Sequence, residues 1–467
     1  HAVRPENPNK GLTKERVLQQ PGFFDQDTLV SVMTLAPLDS ALDYRAPEGG
    51  CRLGAEVEVP VGPRKVLGVV WGAGRGDYDL SKIRTVTKVL DVAPMRAELQ
   101  SFLERGADYT LTPRPARLRL ATRVPGLSNP PSMRKIYRPG ATEPDRMTDA
   151  RRRVLETFQS YGGLAFTLKE LADMAGVSTS VIKGMVALGA VQEEDALRDL
   201  PFQPLEADHS QTTLTPAQGK AASALIAGLK QQNYGTTLLK GVTGSGKTEV
   251  YLEAVSECLR QGRQALVLLP EIALTAEFLN RVEARFGAFP AEWHSGVTLT
   301  ERRRVWKMVG AGGAQMVIGA RSALFLPYQN LGLIVVDEEH DSSYKQEDGV
   351  LYHARDMAVL RASICGARVV LASATPSLES WANAEAGKYQ YLELAARFGA
   401  AVMPKLGAID MRGESLPAGR WISHTLQKAI EHRLQAGEQS LLFINRRGYA
   451  PVTLCRACGH QIGCDDC

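Results

Sequence analysis

The chain has 467 residues, and its 55 Lys and Arg against 51 Asp and Glu leave a formal net charge of only +4, too small by itself to mark a nucleic-acid-binding protein. At about 150 residues per domain, this length predicts roughly three domains. Hydrophobic residues at 44% and charged residues at 23% are ordinary for a soluble globular chain and exclude a disordered, collagen-like or coiled-coil protein. No apolar run approaches the ~18 residues of a membrane span, and no basic-then-apolar start indicates a secretory signal. Because the chain begins with His1 and ends at Cys467 within a motif, we expect a fragment at both ends.

The first part of the chain has the pattern of a small β-rich domain. Residues 1–28 show no apolar period and are predicted to form a mobile tail. From Leu29 to about Val92, short β-branched runs are punctuated by Gly and Pro, as in a small barrel or sandwich. A short helix is predicted near Met95–Tyr109, and the domain is predicted to span residues 29–115.

A Pro-rich, basic stretch follows and is predicted to be a linker over residues 116–147. Between Arg114 and Arg153 there are ten Arg and one Lys against three acidic residues, a net charge of +8. Two interpretations remain open. The stretch is either solvated linker or a strip that faces DNA, since neutralised phosphates supply most sequence-independent affinity.

Residues 148–195 have the pattern helix, helix, helix, short strand. Thr167 followed by Glu170 predicts a capping box at the start of the second helix, and the turn at Gly176 suits a helix-turn-helix. Such modules bind nucleic acid in some proteins and only hold proteins together in others. Residues 196–213 are predicted to be a polar linker.

From Leu214 onward, short apolar runs alternate with helical patterns. This alternation predicts an α/β domain with a doubly wound parallel sheet. Its predicted strands are 236–240, 265–269, 316–318, 333–336 and 369–372. After a helix over His424–Gln435, a further strand is predicted at Ser440–Ile444.

A phosphate-binding loop is predicted between the first of these strands and the next helix. The candidate nucleotide-binding residues, which match the spacing of this loop, are Gly241, Val242, Thr243, Gly244, Ser245, Gly246, Lys247 and Thr248. The glycines let backbone N–H groups close around phosphates, and the helix N-terminus adds a positive dipole. Lys247 is predicted to reach the β- and γ-phosphates, and Thr248 to bind Mg²⁺ through its hydroxyl.

An acidic motif follows a later apolar strand. Asp337 and Glu338 are predicted to lie at the carboxyl edge of the sheet, where α/β sheets bind ligands. Asp337 is a candidate to hold the coordination shell of Mg²⁺. Glu338 is a candidate general base that polarises the attacking water. His340 is a candidate sensor of the γ-phosphate, and the hydroxyls of Ser373–Pro376, after another strand, could couple this motif to bound DNA.

The cysteines are unevenly placed. Three stand alone, whereas Cys455, Cys458, Cys464 and Cys467 form two C-x-x-C pairs, a strong signal for zinc. Only five residues separate the pairs, and a one-zinc ribbon normally has a longer insert. This spacing favours two zinc half-sites, each of which would need a second C-x-x-C pair to complete it.

The series of motifs resembles the PriA-type replication-restart DNA helicases (primosomal protein N′), which belong to helicase superfamily 2. The blocks that carry the resemblance, in order, are Gly241–Tyr251, Leu269–Thr275, His294–Gly296, Ile318–Ala323, Asp337–His340, Tyr344–Glu347, Ser373–Ser377 and Asn445–Ala450. The resemblance extends from about Leu29 to Cys467. It implies a DNA 3′-end-binding domain at 29–115, a winged helix at 148–195, helicase lobe 1 at 214–435, and the start of lobe 2 with a zinc insertion at 436–467.

The resemblance also implies roles for residues of the first domain. Asp43 and Tyr44 would grip the terminal nucleotide, and Gly62 and Arg84 would complete the pocket. Leu42 stands where an aromatic is usual. The alternative is that Asp43-Tyr44 is only a turn and a core ring.

Further roles concern the helicase lobe. Gln218 would bind an adenine edge through its amide, the alternative being a surface residue on a first helical turn. Tyr344, Tyr352 and Arg355 would contact single-stranded DNA by stacking and charge, unless one of the tyrosines is ordinary packing. The family carries eight such cysteines that bind two Zn²⁺ ions, so four would lie beyond Cys467.

The function that follows is an ATP-dependent 3′-to-5′ DNA helicase that recognises stalled or repaired forks and promotes replication restart by primosome assembly. Mg²⁺ with ATP and two Zn²⁺ ions are the expected cofactors, and the expected partners are fork and single-stranded DNA, other primosome proteins and single-stranded DNA-binding protein. The expected location is the bacterial cytoplasm, with the nucleoid. Because lobe 2 would stop at Cys467, this chain alone is expected to be inactive or weakly active. The alternative is a fork-binding loading scaffold whose ATPase and unwinding are secondary.

Overall fold

The computed structural model describes residues 22–38, 40–122, 124, 126, 133–142, 144, 146–160, 165–197, 201–270, 273–396, 405–414, 416 and 422–443, and two short strands after them. The chain divides into two compact units after Gly399. The first unit contains the β-rich domain, a small helical module and the α/β domain, and the second contains the remaining residues.

The first domain is built on an antiparallel sheet. Its strands are β1 (Phe23–Phe24), β2 (Leu29–Thr34), β3 (Leu42–Arg45), β4 (Cys51–Arg52), β5 (Glu56–Val61), β6 (Arg64–Ala73) and β7 (Lys88–Val89). Five of them form a sheet of order β3-β2-β6-β5-β7, while β1 pairs with β4. Alternate residues of β2 and β5, among them Val30, Val32, Val57 and Val59, are fully buried, which is the period-2 pattern of a half-buried strand. The prediction of a mobile tail over residues 1–28 is wrong for the last of these residues, because β1 pairs with β4.

Two helices complete this domain and connect it to the α/β domain. They are α1 (Ala97–Thr110) and α2 (Arg114–Thr122). The Arg117 side chain is fully buried, and its guanidinium lies 5.9 Å from the Phe325 ring and 5.8 Å from the Tyr352 ring. The predicted linker is therefore wrong over its first residues. They form a helix whose most buried arginine stabilises packing and cannot face DNA.

A second buried arginine makes the reverse contact, from the α/β domain to the first domain. Arg361, from the α/β domain, lies 5.5 Å from the Phe102 ring of α1 and 5.0 Å from the Tyr328 ring. Its Nη2 donates to the Leu326 carbonyl at 2.7 Å. Each domain thus places a guanidinium against an aromatic ring of the other, which joins them through a continuous buried core.

The helical module comes next. Its elements are β8 (Met133–Pro139), α3 (Asp149–Ser160), α4 (Leu168–Ala175), α5 (Thr179–Ala187) and β9 (Val191–Leu197). β8 pairs antiparallel with β9, so the predicted linker is also wrong over residues 133–139, where a strand forms because it has a partner. The predicted capping box is confirmed, since Thr167 and Glu170 each accept from the other's backbone N–H. Gly176, with φ +61°, ends α4 in the left-handed conformation.

The α/β domain has a seven-stranded parallel sheet of order β12-β13-β11-β14-β17-β10-β18. Its elements and the short strands beside it are α6 (Pro216–Lys230), β10 (Gly235–Gly241), α7 (Lys247–Arg260), β11 (Gln264–Leu268), α8 (Ala276–Phe286), β12 (Ala291–Trp293), α9 (Leu299–Gly310), β13 (Met316–Gly319), β14 (Leu331–Asp337), β15 (Lys345–Gln346), β16 (Tyr352–His353), α10 (Ala354–Cys365), β17 (Arg368–Ser373), α11 (Leu378–Glu385) and β18 (Gln390–Leu394). Two buried clusters cover the two faces of the sheet. The predicted parallel sheet between helices is confirmed, and its central strands are almost entirely buried, as such strands are.

Residues 201–213, predicted to be linker, pack against the α/β domain instead. Leu205 is buried in the core. The Ala207 carbonyl accepts from Arg285 at 2.9 Å and from Ser256 at 2.7 Å. The polar composition gave no sign of this packing, which uses the Ala207 carbonyl together with side chains such as Leu205 and Asp208.

The second unit begins earlier than the predicted end of lobe 1 at residue 435. It contains α12 (His424–Gln435) and the hairpin of β19 (Thr453–Leu454) with β20 (Gln461–Ile462). The strand predicted at Ser440–Ile444 is wrong over the described residues 440–443, where the backbone is irregular and Leu441 is 93% exposed. An apolar run becomes a strand only where a neighbouring strand accepts its hydrogen bonds. Among the described helices, none is long and apolar enough to cross a membrane.

A buried acid in the first domain predicts a pH dependence of stability. Glu56 is 3% exposed, and burial raises the pKa of its carboxyl from 4.5 to about 8. The folded protein holds a proton there that the unfolded chain releases, so stability falls as pH rises from about 4.5 to 8. The loss is at most about 5 kcal/mol. Glu56→Gln should remove this slope in thermal unfolding followed from pH 5 to 8, whereas a slope unchanged in the variant would contradict the assignment.

Candidate functional site

The loop between β10 and α7 has the shape of a phosphate-binding loop. Gly244 and Gly246 adopt φ of +80° and +82°, a region that residues with a Cβ rarely occupy. A Cβ on Gly246 would lie 2.3 Å from Gln218 Nε2, and one on Gly241 would lie 2.4 Å from Ser245 Oγ. The loop therefore needs glycine for its backbone and for its close packing.

The loop forms one wall of a cavity of about 500 Å³. The predicted site residues that line this cavity are Gln218, Thr243, Gly244, Gly246, Lys247, Thr248, Asp337 and Glu338. Gly241, Val242 and Ser245 are the remaining residues of the loop. The fold thus brings the candidate phosphate-binding residues and the acidic motif to one place at the carboxyl edge of the sheet.

Lys247 and Ser245 differ in their access to the cavity. Lys247 Nζ donates to the Gly241 carbonyl at 3.0 Å and lies 3.8 Å from Glu338 Oε1. Ser245 Oγ is buried without a hydrogen-bond partner among the described residues. A buried hydroxyl without a partner is costly, but Ser245 does not line the cavity, and its Oγ packs against Gly241 within the loop.

Asp337 lies at the end of β14 with both carboxylate oxygens engaged. Tyr251 donates its hydroxyl to Oδ2 at 2.9 Å, and the Glu338 N–H donates to Oδ1 at 2.9 Å. Burial raises the pKa of Asp337 above its usual value. Together with the Thr248 hydroxyl it offers the oxygen donors that Mg²⁺ prefers, and the cation would restore the charged form. Tyr251, which sequence reasoning missed, orients this carboxylate.

Glu338 has a strained backbone. Its φ is +46°, in the left-handed region that few residues other than glycine adopt. Its side chain is 40% exposed at the cavity, and its Oε2 lies 3.6 Å from His340 Nδ1. Strain of this kind clusters at functional sites, and the role of Glu338 as general base stays a prediction.

His340 links the acidic motif to the next strand. Its Nδ1 lies 2.8 Å from Ser373 Oγ at the end of β17, and Ser373 Oγ accepts from the Thr375 N–H at 3.0 Å. The acidic motif thus contacts Ser373, the first of the predicted hydroxyls, and the coupling of these hydroxyls to bound DNA stays a prediction.

Glu339 is a second link that the sequence analysis missed. Its side chain is fully buried. It accepts from the Ser377 N–H at 2.7 Å and from the hydroxyls of Ser377 and Ser380 at 2.9 Å each. Arg355 Nη1 lies 3.4 Å from its Oε2. A carboxylate beside two others in sequence resembles a solvated acidic turn, and only the fold shows that this one faces inward.

The prediction that Arg355 contacts DNA is contradicted by its burial. The side chain is 6% exposed, and its guanidinium donates to Ser377 Oγ at 2.6 Å and to Asp356 at 2.8 Å. Its charge is neutralised inside the protein.

Both tyrosines predicted to stack on bases are also buried. Tyr344 is 1% exposed and donates to the carbonyls of Leu268 at 3.0 Å and Asp337 at 2.6 Å. Tyr352 is 6% exposed, and its ring packs edge-on to Phe325 at 5.1 Å. The expectation of exposed stacking rings is therefore wrong in this structure, because both rings belong to the core.

Gln218 is not the surface residue that the alternative interpretation describes. Its Oε1 accepts from the Thr215 N–H at 2.9 Å, and its Nε2 donates to the Ser245 carbonyl at 2.9 Å. It caps α6 and supports the phosphate loop. Its contact with an adenine edge remains a prediction.

The first domain has a second cavity, of about 960 Å³, whose lining includes all four residues predicted for it: Asp43, Tyr44, Gly62 and Arg84. Arg84 Nη1 donates to the Gly62 carbonyl at 2.8 Å. Tyr44 is 3% exposed and donates to the Pro60 carbonyl at 3.1 Å. Tyr44 is thus a core ring at the edge of the cavity, whereas Asp43 and Arg84 present charge to it.

The four candidate zinc ligands, Cys455, Cys458, Cys464 and Cys467, lie outside the described residues. Within the part of the chain that is described, no group of three or more His, Cys, Asp or Glu could hold a metal ion.

Comparison with known proteins agrees with this division of the chain. Residues 215–384 match the family model described as DEAD/DEAH box helicase, and residues 31–122 match the model described as 3′DNA-binding domain. The second match includes α2, beyond the predicted boundary at residue 115. The sheet, the phosphate loop and the acidic motif, with these matches, define a helicase lobe of superfamily 2, a class that uses ATP with a divalent metal ion.

The similar proteins identify the family within this class. The chain is 49% identical over 231 residues to "Replication restart protein PriA" of Rickettsia felis, which covers 50% of this chain and 36% of that protein. It is 32% identical to the protein of the same name from Bacillus subtilis, over 94% of this chain and 64% of that one. The Haemophilus influenzae protein of the same name is 34% identical, over 94% of this chain and 61% of that one. This chain belongs to the PriA replication restart protein family, and its matches span between about one third and two thirds of these relatives' lengths.

The Glu339 network predicts a loss of stability when its acid is neutralised. In Glu339→Gln an amide NH₂ would replace one of the two oxygens that accept hydrogen bonds, and it would leave Arg355 less well paired. We expect a loss of about 2–4 kcal/mol, which lowers the melting temperature by roughly 5–12 °C. The control is Glu379→Gln, since Glu379 also lies near Arg355, at 3.6 Å, but is 71% exposed. Equal melting temperatures for the two variants would contradict the buried network.

Proposed function

We propose that this protein is an ATP-dependent 3′-to-5′ DNA helicase that recognises stalled or repaired replication forks and promotes restart by primosome assembly. The observation that carries the proposal is that one compact unit holds a nucleotide cavity and, in the first domain, a separate cavity suited to a DNA end. Family membership supports the same function.

The nucleotide cavity suggests how the chain would act on ATP. Lys247 and the loop N–H groups would hold the β- and γ-phosphates, and Gln218 would add a contact to adenine. Thr248 and Asp337 would hold Mg²⁺, which supplies positive charge against the phosphates when bound. Glu338 would orient the attacking water and accept its proton. Most of the acceleration would come from position and electrostatics, as in other phosphoryl transfers.

The first cavity suggests how a 3′ end would be recognised. Asp43 would accept a hydrogen bond from the terminal nucleotide, and Arg84 would offer positive charge. Gly62 adopts φ +59°, and a Cβ there would meet no atom within 4 Å. Glycine at this position is thus required by its backbone conformation, which forms the turn at the cavity edge.

The remaining parts of the proposal concern other segments. The helical module with β8 and β9 would be a winged helix that contacts DNA. The four cysteines would be half of a two-zinc insertion in lobe 2. Primosome proteins, single-stranded DNA-binding protein and the nucleoid would be the cellular partners and location.

The test of end recognition is Asp43→Ala. Affinity for a fork whose leading-strand 3′-OH abuts the junction should fall about 10- to 100-fold, the value of one charge-assisted hydrogen bond. Affinity for plain single strands should change little. Asp108→Ala is the control, because Asp108 is 68% exposed on α1, outside the cavity. Equal losses on fork and single strand, measured by fluorescence anisotropy, would show that Asp43 does not read the end.

A further inference from the structure

One wall of the first-domain cavity is a loop that the sequence analysis did not use. Residues 74–84 connect the end of β6 to the segment before β7, and seven of them line the cavity: Arg75, Asp77, Tyr78, Ser81, Lys82, Ile83 and Arg84. The Tyr78 side chain is 64% exposed. Proteins that bind single-stranded nucleic acid stack bases on exposed aromatic rings beside positively charged groups. Tyr78 and the charged residues of this cavity have that arrangement.

The loop is held at both sides of Tyr78. Two residues before it, the Gly76 N–H donates to Asp43 Oδ2 at 2.7 Å. Two residues after it, the Leu80 carbonyl accepts from Arg45 Nη2 at 3.0 Å. Tyr78 is therefore presented by a fixed turn, and the same Asp43 that we assign to the terminal nucleotide also fixes the loop.

The rest of the loop is braced from within. Asp79 Oδ1 accepts from the Ser81 N–H at 3.0 Å and from its hydroxyl at 2.7 Å, and its Oδ2 lies 3.4 Å from Lys82 Nζ. Arg75, Lys82 and Arg84 give the cavity three positive charges against Asp43 and Asp77. A cavity of this kind can hold a phosphate as well as a base.

No other aromatic residue of the described cavity lining offers a free ring face. Tyr44 is the second aromatic of the cavity lining, but it is 3% exposed and its hydroxyl is bonded to Pro60. Leu42, next to Asp43, is aliphatic. Tyr78 is thus the aromatic of the described lining whose ring faces are accessible.

We infer that Tyr78 stacks on the base of the terminal nucleotide and is a specificity-determining residue of the 3′-end pocket. This inference rests on the proposed function, because it requires that the cavity receives a DNA end. The ring would hold the base by its face, which every base has, while Asp43 holds the terminal nucleotide by a hydrogen bond. The pocket would accept any 3′-terminal base but not a terminus that lacks one.

The experiment compares two forks that differ only at the 3′-terminal nucleotide of the leading strand, one with a normal base and one with an abasic site. Affinities of the 467-residue chain are measured by fluorescence anisotropy. Tyr78→Ala should weaken binding to the normal fork roughly 5- to 100-fold, from the usual strength of base–aromatic stacking, and should not weaken binding to the abasic fork. Tyr78→Phe should bind both forks as the unchanged chain does, because the ring is retained.

Tyr109→Ala is the matched control, since Tyr109 is 74% exposed on α1 and does not line the cavity. Binding of a Mg²⁺-bound adenine nucleotide verifies that each variant is folded. An equal loss for Tyr78→Ala on the normal and abasic forks, or no loss on either, would overturn the stacking role while Asp43→Ala still weakened fork binding. If Asp43→Ala also had no effect, the proposed end recognition itself would be wrong.

Discussion

Lys247→Ala should abolish nucleotide hydrolysis and weaken binding of Mg²⁺ with ATP by about 10²-fold or more. The side chain is the one ammonium that lines the described nucleotide cavity, and its loss removes the positive charge predicted to contact the β- and γ-phosphates directly. Titration with a fluorescent ATP analogue measures binding, and phosphate release by the full-length protein in the presence of single-stranded DNA measures turnover.

Lys240→Ala is the control for this prediction. Lys240 lies on β10, the strand before the phosphate loop, but its Nζ is 3.3 Å from Glu393 and 5.1 Å from the Trp381 ring, away from the cavity lining. Unchanged nucleotide affinity in Lys247→Ala would contradict the site. The same variant separates the two functions considered for the protein, because a loading scaffold would still promote primosome assembly after unwinding is lost.

Glu338→Gln should separate binding from chemistry. The amide keeps the shape of the side chain but cannot accept the proton of water, so affinity for ATP should change little and turnover should fall about 10²- to 10⁴-fold. Removal of the negative charge 3.8 Å from Lys247 should, if anything, favour the bound phosphates. Single-turnover hydrolysis, with the binding titration beside it, measures both effects.

Glu206→Gln provides the comparison, since Glu206 is 73% exposed, outside the lining of the nucleotide cavity. In the full-length protein, turnover by Glu338→Gln equal to that of the unchanged protein would remove the general-base assignment. Loss of ATP binding in Glu338→Gln would instead indicate that the carboxylate holds the loop in place.

The parts of the fold that the sequence predicted are those with local patterns. The parallel sheet followed from short apolar strands between helices, and the capping box at Thr167 followed from spacing alone. Most residues of the predicted phosphate loop line one cavity together with the acidic motif, and their roles toward ATP and Mg²⁺ stay predictions.

The predictions that were wrong concern residues whose burial depends on contacts with residues far away in the sequence. Arg355, Tyr344 and Tyr352 have the composition of a DNA-contacting segment, but their burial is decided by partners such as Glu339 and Phe325. No local pattern distinguishes a buried arginine from an exposed one. The same reason explains why the basic run after Arg114 was taken for a linker, although Arg117 has its partners 208 and 235 residues away at Phe325 and Tyr352.

The crossed arginines between the first domain and the α/β domain have a consequence for how work could be done on DNA. Arg117 and Arg361 are each buried against rings from the opposite side, so separating the two domains would break both cation–π contacts and expose the apolar core that they share. The 3′-end pocket and the nucleotide cavity are consequently held in fixed positions relative to each other. A strand end gripped by the first domain would be stationary with respect to the phosphate loop, and any translocation driven by ATP would be displacement of the rest of the DNA past that fixed point.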